Sequence, residues 1–165
     1  MSDEIVNKVA QSPLITFNLE TFLPPQVHAI DLAQFLEDGY LLREKEYRAQ
    51  VKSLDLTPYQ NSAVRLWCST DALLPSWAPL LISTALETVQ TAAFWASSEA
   101  SFYELWFRDR LAKHDWEHYR GKPVILKGCG DSRVPIDAFV AASQRLKEVA
   151  KKLSYGEACS AVPLK

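Results

Sequence analysis

Apolar residues fall into short runs separated by polar turns, and the runs alternate between strand-like and helix-like spacing. Leu14 to Phe22 (LITFNLETF) predicts a β-strand, ended by Pro24 and Pro25, which lack the amide N–H that a ladder needs. Val27 to Leu32 predicts a second strand. From Gln34 to Ser53 apolar positions recur at helical spacing (Phe35, Leu36, Tyr40, Leu41, Tyr47, Val51), with Gly39 dividing two helices. Ala63 to Cys68 (AVRLWC) predicts a strand, and Pro75 opens a helix reaching Leu86 or Val89, since proline suits a first helical turn. Thr91 to Ala96 reads as a strand, Ser101 to Lys113 as a helix, and Pro123 to Cys129 (PVILKGC) as a strand. A helix from Ile136 to Lys151 and a strand from Leu153 to Cys159 (LSYGEAC) complete the series. This alternation predicts an α/β fold, a mostly parallel sheet with helices on its faces.

The pattern repeats at an interval of about 60 residues. Between residues 44 to 89 and those 60 positions later, 12 of 46 positions are identical, among them Asp55/Asp115, Tyr59/Tyr119, Leu66/Leu126, Asp71/Asp131, Pro75/Pro135 and Leu86/Leu146. Chance would give roughly 3. No linker or low-complexity tract interrupts the chain, so one α/β domain over residues 1–165 is expected.

Composition narrows the function classes. With 165 residues, 48% of them hydrophobic, the chain can bury a single sizeable core. A net charge of -2 with scattered Lys and Arg offers no basic stripe for a phosphate backbone, so nucleic acid is not expected as a partner. No apolar run approaches a membrane span, and the opening MSDEIVNKVA lacks a secretory leader's basic and apolar regions. These features predict a cytoplasmic protein. Three cysteines there argue against a disulfide framework and leave buried thiols, catalysis or metal ligation.

Cys68, Cys129 and Cys159 all fall at carboxyl ends of predicted strands, each followed by Ser or Gly. In open parallel sheets ligands gather at that edge, where backbone amides and helix N-termini lower thiol pKa values. Three convergent thiolates would hold zinc, or an iron-sulfur cluster, with Asp71, Asp131 or Glu157 as the fourth ligand. A redox or nucleophilic thiol is the lesser alternative. The competing reading is a non-enzymatic interaction module, most simply a homodimer with its thiols in the core. No small-molecule ligand is identified by any motif.

Other features are weaker. His114 and His118 have the i,i+4 spacing of two ligands on one helix face, although a solvated helix end explains them more simply. Phe94, Trp95, Phe102, Tyr103, Trp106 and Phe107 form an aromatic cluster that reads as core, with a pocket or dimer interface as the alternative. Glu44/Arg48 and Glu104/Arg108 read as surface ion pairs.

The stretch from Gly128 to Pro135 (GCGDSRVP) resembles the first zinc motif of the β-class carbonic anhydrases, Cys-x-Asp-Ser-Arg. The resemblance implies Cys129 as a zinc ligand, Asp131 and Arg133 as a pair beside the metal-bound water, and a zinc lyase activity. The second motif of that family, His-x-x-Cys, has no counterpart, because His28, His114 and His118 all precede Cys129. Over nearly the whole chain, IVNKVAQSPLITFNLETF, LLREKEYR, CSTDALLPSWA, KGC with the following Val-Pro, and GEACSAVPLK resemble an uncharacterised bacterial family known as a domain of unknown function. That resemblance implies a shared fold and carries no activity.

Overall fold

A computed structural model describes residues 14–128, 130–157 and 159–165. In chain order the strands and helices are β1 (Ile15–Phe17), β2 (Val27–Asp31), α1 (Glu44–Lys52), β3 (Ala63–Trp67), α2 (Trp77–Glu87), β4 (Ala92–Trp95), α3 (Glu99–Ala112), β5 (Pro123–Leu126), α4 (Ile136–Val149), β6 (Lys152–Tyr155) and β7 (Val162–Pro163). The chain is mixed α/β with mostly parallel sheets, and it divides into two compact units. A continuous unit takes Pro24–Trp106, and a split unit takes the chain up to Leu23 together with Phe107–Lys165. Among the described residues no helix is long and apolar enough to cross a membrane.

The continuous unit carries a parallel sheet in the order β2-β3-β4, registered by Ile30↔Leu66 and Val64↔Ala93. As the central strand, β3 is close to uniformly apolar, with Ala63, Val64 and Leu66 buried. Helix α2 sets Ala78, Ile82 and Leu86 at i,i+4 spacing, and all three are fully enclosed. Burial of a side chain such as Ile82 or Leu86 contributes about 1.5–3 kcal/mol. Helix α1 buries Tyr47 and Val51 by the same spacing, and the Tyr47 hydroxyl donates to the Ala78 carbonyl at 2.7 Å.

The split unit orders its sheet β1-β5-β6-β7, with the first three parallel and β7 antiparallel to β6. Helix α4 packs on β5 and β6 through Ala138, Ala142 and Leu146. The Lys165 ammonium then donates to the carbonyls of Lys147 and Ala150, at 2.7 and 2.9 Å, where that helix ends.

Several expected elements come out shorter, among them the strand expected over Pro123–Cys129, which ends at Leu126, and three shorten for a clear local reason. The run Leu14–Phe22 is a strand only over Ile15–Phe17. The Asn18 side chain accepts from the Glu20 amide and starts a 3-10 helix over Leu19–Phe22. The first of the two helices expected between Gln34 and Ser53 is a single 3-10 turn, Leu32–Phe35, capped by Asp31. It cannot continue because Asp38 (φ 51°) and Gly39 (φ 76°) turn left-handed in a bridge between Glu37 and Leu41. The last strand stops at Tyr155, where Gly156 takes φ 115°.

Hydrogen bonds recur across the two units at an interval of 60 residues. Asp55 accepts from the Thr57 amide and Asp115 from the Glu117 amide, opening the 3-10 turns Thr57–Tyr59 and Glu117–Tyr119. Asn61 (φ 54°) and Gly121 (φ 70°) are both left-handed, and their amides reach the carbonyls of Val89 and Val149. The Ala96 amide meets Leu66 and the Gly156 amide meets Leu126, both at 3.0 Å.

Candidate functional site

The carboxyl edge of each parallel sheet gathers the polar side chains singled out above. In the continuous unit, Asp31 ends β2 and its Oδ1 accepts from the amides of Ala33 and Ser69, both at 3.0 Å. Burial acts to raise its pKa, but the hydrogen bonds from Ser69 and Ala33, aided by Arg65, hold it below the ordinary carboxylate value. Cys68 follows β3 directly and is half-buried, its sulfur 3.4 Å from Thr70 Oγ1. The single Thr70 hydroxyl proton goes to the Gly39 carbonyl at 2.6 Å. With that proton spent, the Cys68 thiol is the donor in its contact with Thr70 Oγ1. Asp71 is exposed.

In the split unit, the Gly130 amide donates to Glu20 Oε1 at 3.2 Å, tying the loop after β5 to the turn after β1. Asp131 and Arg133 form a bidentate pair, with Nη2 2.6 Å from Oδ2 and Nε 3.0 Å from Oδ1. The Arg133 guanidinium, then its amide, hold the Asp131 carboxyl down at about 2. The pairing implied by the carbonic anhydrase resemblance is thus formed. The same Oδ1 also accepts from the Arg133 amide at 2.9 Å, as a turn cap does. Glu157 and Cys159 share the turn closed by the Ser160 amide on the Glu157 carbonyl, 2.9 Å long, and both are exposed.

The expected three-thiol cluster is not seen among the described residues, where no three His, Cys, Asp or Glu side chains are grouped to hold a metal. Cys129 lies outside the described residues. Cys68 belongs to the continuous unit and Cys159 to the split unit. The alternative with thiols in the core also needs correction, because Cys68 is only half-buried and Cys159 is exposed.

His114 and His118 do not share a helix face, since α3 ends at Ala112 and His118 lies in the 3-10 turn beyond it. Nor is His114 solvated as expected. Its ring packs against Phe17, Phe22 and Trp116 with centroids 4.9–5.5 Å away, and its Nε2 lies 3.0 Å from the Tyr119 hydroxyl. Burial lowers its pKa below the ordinary histidine value, with His118 adding to the shift and Asp115 opposing it. Of the aromatic cluster expected to be core, Phe102, Tyr103, Trp106 and Phe107 are buried, but Trp95 at the end of β4 is 47% exposed. Glu44 and Arg48 pair at 2.8 Å on the exposed face of α1. Near the end of α3 the pair is instead Lys113 with Asp109, at 2.7 Å.

Sequence reasoning missed a groove of about 480 Å³ in the continuous unit, between α1, α2 and the loop after α1. Leu54 and Leu56, on either side of Asp55, were the available signal: two leucines in a loop with no periodic partner. Sixty residues on, His114, Trp116, Arg145 and Glu148 line a cavity of about 370 Å³ in the split unit.

Fold and edge geometry together define an α/β protein of two small parallel-sheet units, with polar loops at the strand ends. The chain belongs to the DUF2480 family, described as proteins of unknown function, whose pattern it matches over residues 3–165. No curated protein and no solved structure matches it.

Proposed function

We propose that this is a metal-binding protein whose ligands come from the carboxyl edge of the split unit: Cys129, Cys159 and Glu157. The supporting observation is the register of β5 on β6, which are adjacent and parallel with Leu126 opposite Tyr155. Cys129 follows Leu126 by three positions in the chain, and Glu157 and Cys159 follow Tyr155 by two and four. Of the candidate fourth ligands, Asp131 is engaged by Arg133, whereas Glu157 shares its turn with Cys159. The Cys68 thiol, donating to Thr70, is left out of the set. Two thiolates and a carboxylate suit zinc with water as a fourth ligand better than an iron-sulfur cluster, which usually takes four thiolates.

Metal analysis of protein purified without oxygen tests this. About one zinc ion per chain is expected in the wild type and in Cys68→Ser, with loss in Cys129→Ser and Cys159→Ser. Metal-free wild-type protein would sink the proposal and leave the interaction module as the reading. The Asp131–Arg133 pair favours a second reading, a carbonic-anhydrase-like zinc lyase. Zinc-loaded protein that fails to hydrate carbon dioxide eliminates it.

A further inference from the structure

The groove between α1 and α2 is lined by side chains that also back onto the unit's core, Val51 within it and Leu54, Leu56 and Leu81 packed against it. Val51, Leu54, Leu56 and Leu81 make its walls, and Arg48 and Lys52 lie one turn apart along its α1 side. At the same positions 60 residues later, Leu54 is replaced by His114, Leu56 by Trp116, Ala85 by Arg145 and Thr88 by Glu148, so a like frame forms with a charged and aromatic lining. The aliphatic wall is therefore a property of this groove, not of the element order.

Its polar groups are of one sign. Among the described residues no carboxylate lines the groove, although the chain as a whole carries a net charge of -2. The hydroxyls of Thr84 and Thr88 are spent on the carbonyls of Leu81 and Ala85 within α2. Arg48 is held by Glu44 and lies over the Trp77 ring at 4.9 Å, which fixes its guanidinium at the groove and offsets its charge. Lys52 is exposed and has no ion-pair partner among the described residues. The groove thus presents an apolar floor with about one uncompensated positive charge at its edge. The groove is open along one side, and its apolar floor with a few convergent polar groups shares the lining character of a small-molecule site.

We propose that this groove binds a small monoanionic amphiphile, a carboxylate with a single aliphatic body of roughly ten carbons. Apolar walls take the chain, and Lys52, with Arg48 beside it, takes the headgroup. The test is calorimetric titration of the full-length protein with decanoate, decanol and decylamine, each below its aggregation concentration, with amide chemical shifts to locate the contact. Decanoate should bind saturably and about tenfold or more tighter than decylamine, with shifts at Val51–Leu56 and Leu81–Thr88. Lys52→Glu, at an exposed position, should weaken decanoate about tenfold, and Thr84→Trp, which plugs the rim, should abolish binding. Cys159→Ser should leave it unchanged, separating this site from the metal proposal. Absence of saturable binding, equal binding of decylamine, or undiminished binding in Thr84→Trp would overturn the inference.

Discussion

Position for position, Tyr47 of the continuous unit answers to Phe107 of the split unit, and both rings are wholly buried. Only the tyrosine carries a hydroxyl, and it is matched by the Ala78 carbonyl. Tyr59 and Tyr119 differ in a similar way. The first meets the His28 ring of β2 edge-on at 5.2 Å, while the second meets His114 from the loop after α3. Individual backbone hydrogen bonds match at 60-residue spacing while the side chains beside them differ. The Tyr47 hydroxyl is matched within its own unit, as expected when an unmatched buried polar group costs about 1–3 kcal/mol, whereas the buried Nε2 of His28 has no hydrogen-bond partner among the described residues.

The largest test of this comparison is at the centre of the split unit's aromatic cluster. Phe17 touches Phe22, His114, Trp116 and Tyr119 with centroids 5.4–5.5 Å away, whereas Ile30 occupies the corresponding place in β2. Phe17→Ala should cost about 3–5 kcal/mol in urea unfolding. A loss below about 1 kcal/mol would show that the cluster is not a core. Next comes Tyr47→Phe, which gives the continuous unit the side chain its counterpart carries. It should cost about 1–2 kcal/mol, since the Ala78 carbonyl loses a buried donor. The reciprocal Phe107→Tyr should also destabilise, and a neutral result for both would show that the two positions are interchangeable.

A third prediction concerns pH. The folded-state pKa of His114 lies below the ordinary 6.5, so the neutral ring is the form the fold prefers. Its contribution is complete above about pH 6.5 and is lost as pH falls through the lowered folded value, because the unfolded chain takes the proton first. Stability should therefore decline on acidification from about pH 6.5, and His114→Phe, which keeps a ring but cannot titrate, should flatten that decline. The smallest effects belong to the left-handed turn. Gly121 has open space where a Cβ would stand, so Gly121→Ala should cost about 1 kcal/mol from backbone conformation alone. Asn61→Gly should change stability by only a few tenths, because asparagine already tolerates that conformation.

Periodicity makes most of the fold legible in the sequence. Helices α2 and α4 follow from Pro75 and Pro135 with the i,i+4 spacing of Ile82/Leu86 and Ala142/Leu146, which packing then reinforces. The short elements escaped because single side chains ended them: Asn18 caps a turn inside an apolar run, and Asp38 adopts a left-handed conformation that its identity only permits. The site was less legible. Strand-end placement of Cys68 was readable from Ala63–Trp67, but the fate of its thiol depends on Thr70 and Gly39, the latter 29 positions away in the chain. The burial of His114 likewise comes from Phe17 and Phe22, which no local pattern connects to it.

The brief strand β7 bears on association. Without it, β6 would end the split unit's sheet and present a row of free amides and carbonyls to any strand that met it. Val162 and Pro163 occupy that margin, and Pro163 has no N–H to offer onward. Leu153 and Lys165 then exchange backbone bonds at 3.0 and 3.3 Å, clamping the cover down. Four residues at the end of the described chain therefore cover the β6 edge, and trimming them would leave its backbone groups open to another strand.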